Sequence, residues 1–127
     1  MKTKYLLDAN VLLRLLLDDN PDQVKQTLHL LSKAKVKKIQ IIVPQIVVFE
    51  VEFILEKYYK IPKAEIVDKL RVILGVNYLK IDDRVIFQDA SELFLKNNTS
   101  FADCFIFYLA RHHHAKLFTF DQKLSKL

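Results

Sequence analysis

The sequence holds one glycine, three prolines, one cysteine and no tryptophan in 127 residues. A single glycine cannot build a glycine-rich phosphate loop, and neither a Walker-type nor a dinucleotide-binding fingerprint occurs. So few glycines and prolines leave little material for a linker, and residues 1–127 read as one domain, long enough to bury a core. Cys104 has no partner for an internal disulfide, and no CxxC or Cys/His zinc pattern exists. That usage suits a reducing compartment such as the cytoplasm. No stretch approaches the roughly 20 uninterrupted apolar residues that cross a bilayer. The first apolar run is broken at Asp8 and Asn10, too early for a signal peptide. The expectation is a soluble cytoplasmic protein with no membrane partner.

What is present is apolar bulk. Hydrophobic residues make up 51% of the chain, with nine Phe and five Tyr, which marks a folded domain. The formal charge is +5, from 20 Lys and Arg against 15 Asp and Glu. This balance fits an anionic partner such as nucleic acid, and equally a lysine-rich solvated surface. Lys33, Lys35, Lys37 and Lys38 form the densest basic stretch. Alone, it decides nothing.

Along the chain, strand and helix signals alternate. Residues 4–7 read as a strand, and Asn10 can cap a helix from Val11 to Leu17. Asn20 and Pro21 open a second helix, in which Val24, Leu28 and Leu31 repeat at helical spacing. The run "IQIIV" (39–43) is a second strand. A helix follows Pro44 to about Lys60, where Ile61-Pro62 breaks it. The next carries Ile66, Val67, Leu70, Ile73 and Leu74 up to Gly75. "NYLKI" (77–81) reads as a third strand, and Asp82 or Asp83 caps a helix bearing Ile86, Ala90, Leu93 and Phe94. After a loop at 97–100, a helix runs from about Phe101 to His113. "KLFTF" (116–120) reads as a last strand, and Asp121 opens a short terminal helix. This order predicts an α/β sandwich around a mostly parallel sheet, whose ligands bind beyond the carboxyl ends of the strands.

Four acids stand out within that frame. Asp8 follows the first strand and Asp121 the last. Glu50 has Ile46, Val47, Phe53 and Ile54 at helical spacing, which predicts a buried position, with Glu52 and Glu56 on a face reaching water. Asp103 shares its side with Ile106, Phe107 and Ala110. Carboxylates that converge raise one another's pKa unless a cation compensates them. No basic residue in these stretches is an obvious partner, and hard divalent ions, Mg²⁺ or Mn²⁺, prefer such oxygens. Each acid also has a plainer reading. Asp121 can be a helix N-cap, Asp103 can cap its helix unless Ser100 does, and Glu50 can pair with a lysine or arginine. Asp8, flanked by core-forming residues, is the hardest to explain without an ion.

Other polar residues have ordinary explanations. His112, His113 and His114 end a helix, where positive charge is favourable. Cys104 reads as a core thiol, and Asp89 as a weak fifth acid. Arg14, one turn past Asn10, can touch phosphate or an acidic partner, or simply decorate the surface.

Taken together, "YLLDANVLLRLLLDDNP", "VPQIVVFEVEFIL", "SFADCFIFYLA" and "LFTFDQKL" resemble, in order, four motifs of the PIN-domain ribonucleases, especially VapC-type toxins of VapBC toxin–antitoxin pairs. The resemblance spans nearly the whole chain. It implies a three-layer α/β/α sandwich, one or two Mg²⁺ or Mn²⁺ ions, and hydrolysis of RNA to 5′-phosphate and 3′-hydroxyl ends. Carried over by position, Asp8, Glu50, Asp103 and Asp121 are the catalytic and metal-binding acids, supported by Asn10, Ser100 and Thr119. Arg14 is a substrate-binding candidate. An antitoxin protein and a second copy of the chain, in a homodimer, are the implied partners. Ala9 stands where threonine is frequent and "RHHHAK" fills a turn where glycine is common; neither touches the acids.

Three other readings compete. "DAN" after a first strand faintly echoes the nucleophile motif of haloacid-dehalogenase-like phosphatases, but that family's second residue is usually Asp and its lid-bearing domains exceed this length. A receiver-like signalling domain needs a phosphorylatable Asp on a third strand, which "NYLKIDD" fits poorly. A non-catalytic RNA-binding or protein-interaction module would need no acids, and four are intact.

Overall fold

The computed structural model describes residues 1–127. Three parallel strands, β1 (Thr3–Leu6), β2 (Ile39–Val43) and β3 (Leu79–Ile81), lie in the order β1-β2-β3. Tyr5 pairs with Ile41 across β1 and β2, and Ile41 with Leu79 across β2 and β3. Parallel neighbours need long crossovers, and here each is a helix pair. α1 (Ala9–Leu17) and α2 (Pro21–Lys35) join the first two strands, α3 (Gln45–Lys57) and α4 (Lys63–Leu74) the next two. α5 (Arg84–Lys96), α6 (Phe101–His112) and the one-turn α7 (Gln122–Ser125) complete the chain. This is the expected α/β sandwich, with a wholly parallel sheet. No helix is long and apolar enough to cross a membrane.

The core follows the apolar periodicity. Ile41 and Val43 of the central strand are fully buried, as are Leu12, Leu13, Val51, Leu55, Leu70 and Phe87. Phe49 sits edge-on to Phe87, Phe101 and Phe105, so α3, α5 and α6 meet around an aromatic cluster. Cys104 is buried there, as expected. Arg84 donates to the carbonyls of Leu74 and Leu79, tying the end of α4 to β3.

Several boundaries differ from expectation. α1 begins at Ala9, so its N-cap is Asp8 rather than Asn10. β3 starts only at Leu79, whose N–H is taken by the Val76 carbonyl in a turn. α3 stops at Lys57, before Ile61-Pro62, where Tyr59 and Ile61 donate back to the last turn. The largest correction concerns "KLFTF": residues 116–120 form no strand and make no backbone hydrogen bond. A strand exists through its ladder, and this segment lies beside no other strand. The free side of β1 stays open, and all four β1 residues are exposed.

The scarcity of glycine leaves a mark on the backbone. The left-handed positions fall to Asp18, Lys37, Lys60, Asp83 and His114. Aspartate tolerates that region, whereas Lys and His are strained by roughly 1–2 kcal/mol. At His114 the geometry is a helix-closing motif: His114 N–H donates to Arg111 O (3.1 Å) and Ala115 N–H to Ala110 O (2.8 Å). The position where the relatives' motif often carries glycine is therefore a real left-handed turn.

Candidate metal and nucleic-acid site

The first acid lies at the carboxyl edge of the sheet. Leu7 N–H donates to Ile42 O, extending the ladder by one bond beyond β1. Asp8 then turns the chain, its Oδ1 accepting from Val11 N–H at 3.1 Å. Capping uses one carboxylate oxygen; the side chain remains exposed at the rim of a recess of about 290 Å³. Asn10, Val11, Arg14, Gln23, Gln26 and Thr27 share that recess, so an anionic and a cationic side chain open into one polar space.

Arg14 is held rather than free. Its Nη2 donates to Tyr59 Oη (3.1 Å), and its Nη1 pairs with Asp19 at 3.0 Å. The Tyr59 bond raises the guanidinium pKa most; partial burial works against it and Asp19 adds to it. Arg14 Nε is buried without a hydrogen-bond partner, a donor still unspent.

Glu50 is not where its neighbours suggested. The buried stripe of α3 is Val47, Val48, Val51, Glu52 and Leu55. Glu50 lies on the opposite side with Ile46 and Phe53, which are 62% and 60% exposed. α3 is apolar on nearly all faces, so apolar neighbours did not mark the core side. Glu50 instead borders an apolar recess of about 520 Å³ with Phe49, Glu52, Phe53, Ile54 and Ala102. Ala102 is in the first turn of α6, beside half-buried Asp103. Ser100 caps that helix by accepting from Asp103 N–H (3.1 Å), which leaves the Asp103 carboxylate uncommitted, as expected.

Asp121 is exposed and caps α7, accepting from Leu124 N–H at 2.8 Å. Thr119 Oγ1 accepts from Asp121 N–H at 3.0 Å, so it does support that acid. The four acids have the oxygen donors a hard cation prefers. Their convergence, however, is not present in the single chain: no three acidic, histidine or cysteine side chains stand close enough to hold an ion. Asp121 hangs from a segment that has not joined the sheet, which accounts for part of the gap.

Sequence reasoning missed the buried acid, Glu52. It is 7% exposed, its Oε2 has no partner, and its pKa is pushed up to about 8. Burial is the main cause, followed by its hydrogen bond to Glu56 and that residue's charge. The same bond lowers the Glu56 pKa, so Glu52 keeps the proton and Glu56 the charge. Nothing in the local sequence separates Glu52 from Glu50, two residues away on the same apolar helix. Asp89 meets His112 Nε2 at 3.4 Å, joining α5 to α6 rather than the acids above. Cys104 is inert as a nucleophile, its thiol pushed up to about 11 chiefly by burial.

A search of curated proteins gives no match. The family model of the PIN domain, in general a fold of metal-dependent nucleases, matches residues 5–127, from the first strand through all four acidic stretches to the end, and the chain belongs to the PIN-domain family.

Proposed function

We propose that this protein is a Mg²⁺- or Mn²⁺-dependent endoribonuclease, the toxin of a toxin–antitoxin pair acting in the cytoplasm. The observation that carries the reading is the recess in which Asp8, Asn10 and Arg14 open together at the carboxyl edge of a parallel sheet. Asp8, Glu50, Asp103 and Asp121 are the oxygen ligands. The chemistry such an ion supplies is a water acidified enough to attack a phosphodiester at neutral pH. Arg14 accepts the phosphate through its unspent Nε donor, while Tyr59 and Asp19 fix the guanidinium plane. Lysines such as Lys33, Lys35, Lys37 and Lys38 add affinity without sequence information.

An apolar groove of about 570 Å³, bordered by Leu15, Leu16, Leu28 and Val72, supports a protein partner such as an antitoxin. A second reading, a non-catalytic RNA-binding module, draws on the absence of a closed acidic group in one chain. One experiment separates the two: purified protein is incubated with total RNA in Mg²⁺, Mn²⁺, Ca²⁺ or chelator. The expected result is cleavage in Mg²⁺ or Mn²⁺, abolished by Asp8→Asn, with salt-sensitive binding alone in Ca²⁺. Arg14→Ala should impair cleavage more than loss of any one of the four lysines. Binding without cleavage in every ion would establish the module instead.

A further inference from the structure

Two unsatisfied surfaces on this chain match each other. The first is the free side of β1, an edge strand whose Tyr5 and Leu6 are exposed and whose outer N–H and C=O groups pair with no strand. Such an edge is a template for one more strand. The second is residues 116–120, with no backbone hydrogen bond of their own. Phe118 and Phe120 are 85% and 91% exposed, while Leu117 and Thr119 are half-buried, an alternation that suits a strand. The two phenylalanines rest edge-on against each other with centroids 5.3 Å apart, having nothing else to cover them. At both ends the segment is fastened to its own chain, by the left-handed turn at His114 and by buried Leu124 of α7, which packs on α6.

We infer that residues 116–120 of one copy add as a parallel strand to the open edge of β1 in a second copy, and that each nuclease site is completed by Asp121 of the partner subunit. The occupant is a second copy because edge and segment do not meet within one chain. The exchange is reciprocal, so one two-fold operation satisfies both edges and both segments. It covers Tyr5 and Leu6 of one copy and Phe118 and Phe120 of the other. In a parallel register that brings Asp8 level with Asp121, Tyr5 stands beside Phe118, and both acids emerge at the carboxyl edge. The missing convergence of acids in a single chain is then a property of the monomer alone.

The inference rests on the nuclease reading only for the role of Asp121, and the test has one arm that does not depend on it. Neighbouring strands lie about 4.8 Å apart, within disulfide reach. Tyr5→Cys and Phe118→Cys chains, both altered at exposed positions, are mixed and oxidised. A covalent mixed dimer is expected. If the mixture gives none while the double variant closes within a single chain, strand exchange between copies is overturned, whatever the protein cleaves.

The second arm mixes inactive Asp8→Asn with inactive Asp121→Asn under conditions of subunit exchange. Each mixed dimer regains one intact site, so about a quarter of wild-type RNA cleavage should return. If the wild type cleaves and the mixture stays inactive, each site is built from one chain and the composite site is overturned. If the wild type itself does not cleave, the nuclease reading fails, and the disulfide arm still decides the exchange.

Discussion

The two ends of the chain carry nearly the same local instruction. "KYLLDANVL" near the start and "KLFTFDQKL" near the end each place an apolar run before an aspartate that caps a helix. At the first end Tyr5 and Leu6 join β2, Leu7 is buried, and the following helix extends over nine residues into the core. At the second the run pairs with nothing, and its helix is a single turn held by Leu124. Local sequence sets which residues are able to extend. The ladder comes from a neighbour, and only one of the two runs has one.

The sharpest way to break this comparison is to remove both aspartates' capping and chemical roles together. Asp8→Ala and Asp121→Ala should each lower RNA cleavage by at least about 100-fold, since ion-stabilised charge contributes several kcal/mol to the barrier. Their effects on stability should differ. Losing the Asp8 cap costs about 1 kcal/mol of a helix embedded in the core, a fall in Tm of about 3–5 °C. Losing the Asp121 cap frays one terminal turn and should leave Tm within about 1 °C. Asparagine at either position keeps the cap and should separate activity from folding. Equal losses of stability from the two alanine variants would show that the second end is as firmly built as the first.

Much of this was legible beforehand because it depends on short-range physics. Asn20 with Pro21 at the start of α2, the β-branched run of β2 and the cap at Ser100 are local choices, and the structure keeps them. Where the reading missed, a distant partner decided. Residues 116–120 needed a neighbouring strand, and the inward face of α3 was chosen by what packs on it, not by its own nearly uniform apolar pattern. Of the site residues, Asp8 and Asp121 fall where strand-end reasoning put them. Glu50 turned outward, and Glu52 took the buried place.

Glu52 gives the next largest effect and tests that inversion. Its ordinary pKa of 4.5 applies in the unfolded chain, whereas the native group titrates near 8. Between those values the unfolded state binds fewer protons than the native one, so stability falls as pH rises. The lowered Glu56 pKa acts only at the acidic side of this window. The Tm of the wild type should therefore drop from pH 5 to pH 8 by about 5 °C more than that of Glu52→Gln, which keeps a neutral donor toward Glu56. Parallel pH profiles for the two proteins would mean that Glu52 reaches water and that α3 is turned differently.

The smallest expected effect concerns the turn that launches the unpaired run. At the first end the chain enters its strand without strain, but at the second it leaves α6 through His114 in a left-handed conformation with φ 54°. A β-carbon there is unfavourable, and glycine removes that strain while adding freedom to the unfolded chain. His114→Gly should therefore gain up to about 1 kcal/mol, read as a rise in Tm of a few degrees. His113→Gly, in the ordinary region just before it, should gain nothing and lose slightly, because glycine brings only its entropy cost there. If both substitutions destabilise equally, α6 does not end in a left-handed turn, and the segment after it departs in another direction from the one on which strand addition depends.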